Sequence, residues 1–183
     1  MAYASWSVVF GEQPSAAKWN ILGTNDASFN DGTGITALDT SVTAISNPYK
    51  FYAYRNAAWT TNGSGAIVPY DTKLFDTNNN FDITTNVGRY TAPVDGFYQF
   101  SARADSSHTG TSDTNMRLFV NGSSALYGDR FASSISFLYS GTVNGMLQLS
   151  AGDYVEAYYD GSGTAGGTGA DRVYFSGFLV SET

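Results

Sequence analysis

The chain has 183 residues, 42% of them hydrophobic, which suits one domain with a full core and excludes disorder over most of its length. A net charge of −7 with no basic cluster excludes binding to nucleic acid through phosphate neutralisation, and argues against an anionic membrane surface. There is no cysteine, so disulfides, zinc-thiolate sites and thiol catalysis are all ruled out.

Residues 1–48 hold one short helix candidate in otherwise loop-like text. It runs from Pro14 through Trp19 and Leu22 and stops at Gly23, with Phe29 at heptad-like spacing beyond. A helix of one or two turns does not hold itself together in water, so this segment needs a partner surface. The apolar runs fall short of the roughly 20 residues of a membrane span. No basic-then-apolar leader opens the chain, and the compartment stays open.

Residues 49–183 read as strands. Tyr98, Phe100, Ala102 and Ala104 alternate with Gln99, Ser101 and Arg103, the period-2 pattern of a half-buried strand. Asn115–Val120 alternates likewise and ends in Asn121-Gly122, a tight-turn signal. Ile135, Phe137 and Tyr139 mark another strand, and 143–149, 154–159 and 173–180 mark three more. The fold class is all-β, a sandwich or barrel with turns every 8–12 residues or so. Val173-Tyr174-Phe175 and Phe178-Leu179-Val180 are apolar on both faces, so one face of that strand is expected at a subunit interface.

These residues resemble the globular C1q domain, related to tumour necrosis factor. The resemblance rests on five anchors in order. They are Phe75-Asp76, then Gly88-Arg89-Tyr90 to Pro93-x-x-Gly96-x-Tyr98-x-Phe100, and Asn121-Gly122. Leu149-x-Ala151-Gly152-Asp153-x-Val155 and Phe175-Ser176-Gly177-Phe178-Leu179 complete the set. Asp95 departs from the pattern, where a small residue is common, and the loop before Arg172 is unusually glycine-rich. The resemblance implies a ten-stranded jelly-roll head over 49–183 that forms a homotrimer, with Tyr98, Phe100, Phe175 and Phe178 in the core or seam. No collagen stalk is present, so complement function does not carry over. Residues 9–29, from Val9-Phe10-Gly11 to Asp26-Ala27-Ser28-Phe29, resemble a short segment near the start of phage tail and appendage proteins. That implies a virion attachment segment, holding at most a short helix, that joins residues 1–48 to other appendage proteins.

Candidate sites follow from residue chemistry. His108 stands among serines and aspartates, but the plainer reading is an exposed loop histidine, since nothing converges on it. Asp153, Glu156, Asp160 and Asp171 offer paired carboxylates, yet Gly152-Asp153 reads as a turn, so no catalytic residue is assigned. Asp160 and Asp171 flank a glycine-rich loop and are the calcium candidates; no cofactor is otherwise required. The run Asp76, Asn78, Asn80, Asp82 is oxygen-rich too, but Asx-turns explain it. Asn62-Gly63-Ser64 and Asn121-Gly122-Ser123 match the glycosylation pattern, which Asn-Gly hairpin turns also explain. Trp59 is the aromatic expected to be exposed for ligand contact, with Asn62, His108 and Asp113 in the polar loops near it. The function expected is non-enzymatic binding of a host-surface glycan or protein receptor, on a virion or at a cell surface. A secreted bacterial adhesin or carbohydrate-binding module is the alternative.

Overall fold

A computed structural model describes residues 47–62, 65–108, 112–165 and 169–183, with backbone alone for 61–62, 108, 112, 137 and 162–165. The helix candidate at 14–22 and the appendage-like segment at 9–29 lie outside the described residues. Asn47–Thr183 forms one compact unit. No helix occurs among the described residues, and none is long and apolar enough to cross a membrane.

Among the described residues thirteen strands make two antiparallel sheets: β1 Lys50–Tyr54, β2 Trp59–Asn62, β3 Ala66–Ile67, β4 Thr72–Asp76, β5 Phe81–Asp82, β6 Arg89–Thr91, β7 Gly96–His108, β8 Ser112–Val120, β9 Ser123–Ser133, β10 Phe137–Leu149, β11 Tyr154–Asp160, β12 Ser162–Ala165 and β13 Tyr174–Glu182. The first sheet runs β2-β12-β7-β13-β1-β4, with β10 on the other side of β7. The second runs β5-β6-β11-β8-β9, with β3 beside β11. Together they form a jelly-roll sandwich.

Alternation on β7 is as the sequence reads: Tyr98, Phe100, Ala102 and Ala104 are fully buried, while Gln99, Ser101 and Arg103 face outward. Asn121 and Gly122 both take positive φ, 50° and 77°, the geometry of the two-residue hairpin turn between β8 and β9. Two expected strands, one around 135–139 and one over 143–149, are a single 13-residue strand, β10. Gly141 does not break it. The Tyr139 ring lies back along the strand over Gly141, where a Cβ would come within 2.6 Å of the Tyr139 hydroxyl. Glycine here is a packing requirement rather than a turn.

The core is a stack of rings between the sheets. Phe51 lies 4.7 Å from both Phe81 and Tyr90, and 5.0 Å from the edge-on Phe175. Phe100 and Tyr70 each pack 5.8 Å from Phe175. Such ring pairs add about 0.5–1.5 kcal/mol each beyond the area they bury. Most of the buried tyrosine hydroxyls find a partner, although that of Tyr90 has none among the described residues. Tyr98 donates to the Val94 carbonyl at 2.7 Å, Tyr139 to that of Asp129 at 2.6 Å, and Tyr159 bonds Ser106.

Burial pushes the phenols of Tyr139 and Tyr159 up to about 12, and those of Tyr70 and Tyr90 well above the ordinary value. In the unfolded chain they ionise near 10. Between pH 10 and 12 the unfolded state therefore binds fewer protons than the folded one, and stability falls as pH rises. Tyrosinate absorbance from these rings is expected to appear together with loss of the aromatic circular dichroism. Free ionisation of every tyrosine near pH 10 in a folded chain would contradict this packing.

Candidate binding surfaces

The outer face of the first sheet divides along its length. Toward the Gly96 end of β7 it is apolar. Phe178 is 46% exposed, and Phe75, Val180, Leu74 and Met146 are exposed with it. Register places Met146 and Phe178 on either side of Gln99, and Tyr52 opposite Phe75. Tyr52 stacks on Tyr174 at 5.3 Å. A cavity of about 320 Å³ opens between β1, β4 and β13, walled by Tyr52, Phe75, Gly177 and Phe178 with Lys50 and Asn47 among its lining. Toward the His108 end the face turns polar, where Asp105 is buried and accepts from Arg103 Nε at 3.1 Å and Ser140 Oγ at 2.7 Å.

The outer face of the second sheet is built differently. Tyr154, Glu156, Tyr158 and Asp160 alternate along β11, the first opposite Thr91 of β6 and the others opposite Phe119, Arg117 and Asn115 of β8. Glu156 is nearly buried and paired with Arg89 at 2.9 Å, whose guanidinium lies 3.8 Å above the Tyr154 ring. Phe119 and Tyr158 stack at 3.9 Å. Arg117 pairs with Asp160, and its guanidinium lies 5.0 Å from the Phe119 ring and 5.5 Å from that of Tyr127. Hydrogen bonds from Ser124 and Arg117 hold the exposed Tyr127 phenol below its ordinary pKa. Replacing Arg89 with Met strands the buried Glu156 carboxylate. A loss of about 3 kcal/mol is expected in denaturant unfolding, and a Glu156→Gln, Arg89→Met double variant is expected to recover much of it.

Most residues singled out from sequence are accounted for. Trp59, expected to be exposed, is 7% exposed and sits edge-on to Tyr159 at 5.8 Å. It is a core residue because β2 closes the end of the first sheet beside β12, turning the ring inward. Asp113 is exposed and grips Arg130 in a two-pronged ion pair. Asp160 is engaged by Arg117, while Asp171 is exposed and joins no cluster; among the described residues no three His, Cys, Asp or Glu side chains come together. The side chains of Asn62 and His108 lie outside the described residues, as do residues 166–168 of the glycine-rich loop, whose Ser162–Ala165 form β12. Tyr98, Phe100 and Phe175 are in the core of the single chain, whereas Phe178 is on the outer face.

The turns behave as Asx-turns. Asp76 accepts from the backbone of Asn80 and Phe81, each at 3.0 Å. Amides of Asn86, Thr84 and Thr85 converge on Asp82 and hold its carboxyl well below the usual range. Asp153 likewise caps Ser150 at 2.8 Å and takes an amide hydrogen of Asn121, as a turn residue does.

Residues 50–180 match the model of the C1q domain. The chain belongs to the C1q domain family. The globular domain of zebrafish complement 1qA is 23% identical, with a TM-score of 0.52 over 74% of this chain and 99% of that one. Murine APRIL is 8% identical with a TM-score of 0.54, covering 72% of this chain and 98% of that one. The Eiger TNF of S. frugiperda is 11% identical with a TM-score of 0.54, covering 75% and 95%. These likenesses establish the fold. No curated protein matches the chain. Within this C1q domain the departure at Asp95 has a local reason: its carboxylate accepts from the Ala151 amide at 2.7 Å and ties the start of β7 to the turn after β10.

Proposed function

We propose that this C1q domain is a non-enzymatic binding head that assembles in threes on a virion tail or appendage and holds host-surface glycans. The observation that carries the assembly is the apolar end of the first sheet. Five large apolar side chains are exposed there, two of which, Phe75 and Phe178, line an open cavity, and the chain has no disulfide to join copies in another way. A monomer that displays such a patch loses stability and solubility, and a second copy covers it. A three-fold ring is heterologous, so each copy covers its neighbour's patch and the ring closes. The contact needed is about 2,000 Å² in total. Three copies turn weak single-site glycan contacts into firm attachment. The appendage-like residues 9–29 support the virion setting, with residues 1–48 as the joint to other appendage proteins. Attachment needs neither a cofactor nor a catalytic residue.

Light scattering of the purified chain is expected to give three times 19.6 kDa, unchanged on dilution through the micromolar range. A stable single-chain mass overturns the assembly. A glycan array probed with the trimer tests the ligand class, and turnover of a glycan or ester substrate would overturn the non-enzymatic reading.

A further inference from the structure

We propose that the outer face of the second sheet carries a binding site for a neutral sugar, formed by Tyr127, Arg117, Asp160 and Asn115. The proposal rests on the reading of the head as a glycan binder and fixes where the sugar sits.

Strand register puts Tyr158, Arg117 and Tyr127 abreast across β11, β8 and β9, with Asp160, Asn115 and Arg130 in the next row. Tyr127 is 72% exposed, an aromatic ring standing on an edge strand with the Arg117 guanidinium 5.5 Å from its centre. A ring so placed fits the apolar C–H face of a pyranose. Beside it, Arg117 and Asp160 neutralise each other. An anionic ligand would meet the aspartate and a cationic one the arginine, so the pair selects a neutral molecule that both donates and accepts.

Hydrogen bonding points the same way. Besides Trp59 Nε1 and the Tyr90 hydroxyl in the core, two buried polar atoms have no partner among the described residues, Asn115 Oδ1 and Arg117 Nε. One is an acceptor and the other a donor, two residues apart on one face of β8. A native fold rarely leaves such atoms unpaired. A hydroxyl group is donor and acceptor at once, so a polyol can complete both, which neither an ammonium nor a carboxylate can do. Tyr127 stands opposite Arg117 and is the exposed ring beside these two atoms. The opposite face of the sandwich carries the assembly patch, which leaves this sheet facing outward.

The test is amide chemical-shift mapping of the full chain with the methyl glycosides of glucose, galactose and mannose at tens of millimolar. Shifts are expected at 115–117, 126–128 and 158–160 with at least one sugar. Tyr127→Ala is expected to weaken binding about tenfold or more, and Tyr127→Phe, which keeps the ring, to retain most of it. Shifts confined to the segments around Trp59, Asp105 or Asp171, with Tyr127→Ala silent, would overturn this site and leave glycan binding standing. No shift with any sugar, together with a blank glycan array, would overturn both.

Discussion

Phe175→Ala is expected to cost about 3–5 kcal/mol, a large part of the 5–15 kcal/mol that holds a domain of this size together. The ring is fully buried and lies within 5.8 Å of Phe51 and Phe100 of the first sheet, Phe81 of the second, and Tyr70 between β3 and β4. Removing it leaves a hole that four rigid rings cannot close. The melting temperature is expected to fall by about 10 °C or more. Because assembly couples to folding, parent and variant must be compared at one chain concentration. A loss under about 1 kcal/mol would mean that the ring stack is not the centre of the core.

The aromatic alternation on β7 and the Asn121-Gly122 turn were legible because period-2 burial and positive-φ turns leave local marks. Strand β9 was not legible. Ser123–Ser133 mixes serine, alanine, glycine and charge, and its burial pattern shows no buried face for periodicity to detect. It is held as an edge strand by β8, and by tight approach to β10, where a Cβ on Gly128 would strike the Thr142 backbone. Trp59 shows a second limit. Its polar neighbours suggested exposure, but pairing of β2 with the distant β12 decided its environment. The outer face of β11 escaped for a related reason. Tyr154-x-Glu156-x-Tyr158-x-Asp160 alternates visibly, yet its ion partners Arg89 and Arg117 come from other strands, and only the register reveals the pairing. Phe178, read from sequence as core or seam, lies outside the core of the single chain.

Phe178→Asp is expected to leave the fold intact and abolish assembly. The side chain stands on the outer face of β13, 46% exposed, and register sets it opposite Lys50 of β1. A new carboxylate there meets solvent and the Lys50 ammonium in the single chain, so the monomer tolerates it. In the proposed seam the same group is stripped of water three times over in one particle. Burying an ion without a well-placed partner costs several kcal/mol each time, and the Lys50 ammonium is desolvated with it. Three such penalties outweigh the apolar burial that the patch supplies, so the variant is expected to run as a folded single chain of 19.6 kDa at micromolar concentration. Tyr127→Asp, on the opposite sheet, is the control and is expected to keep the parent mass. If Phe178→Asp retains the parent mass while Tyr127→Asp loses it, the seam lies on the second sheet, and the roles assigned to the two faces are reversed.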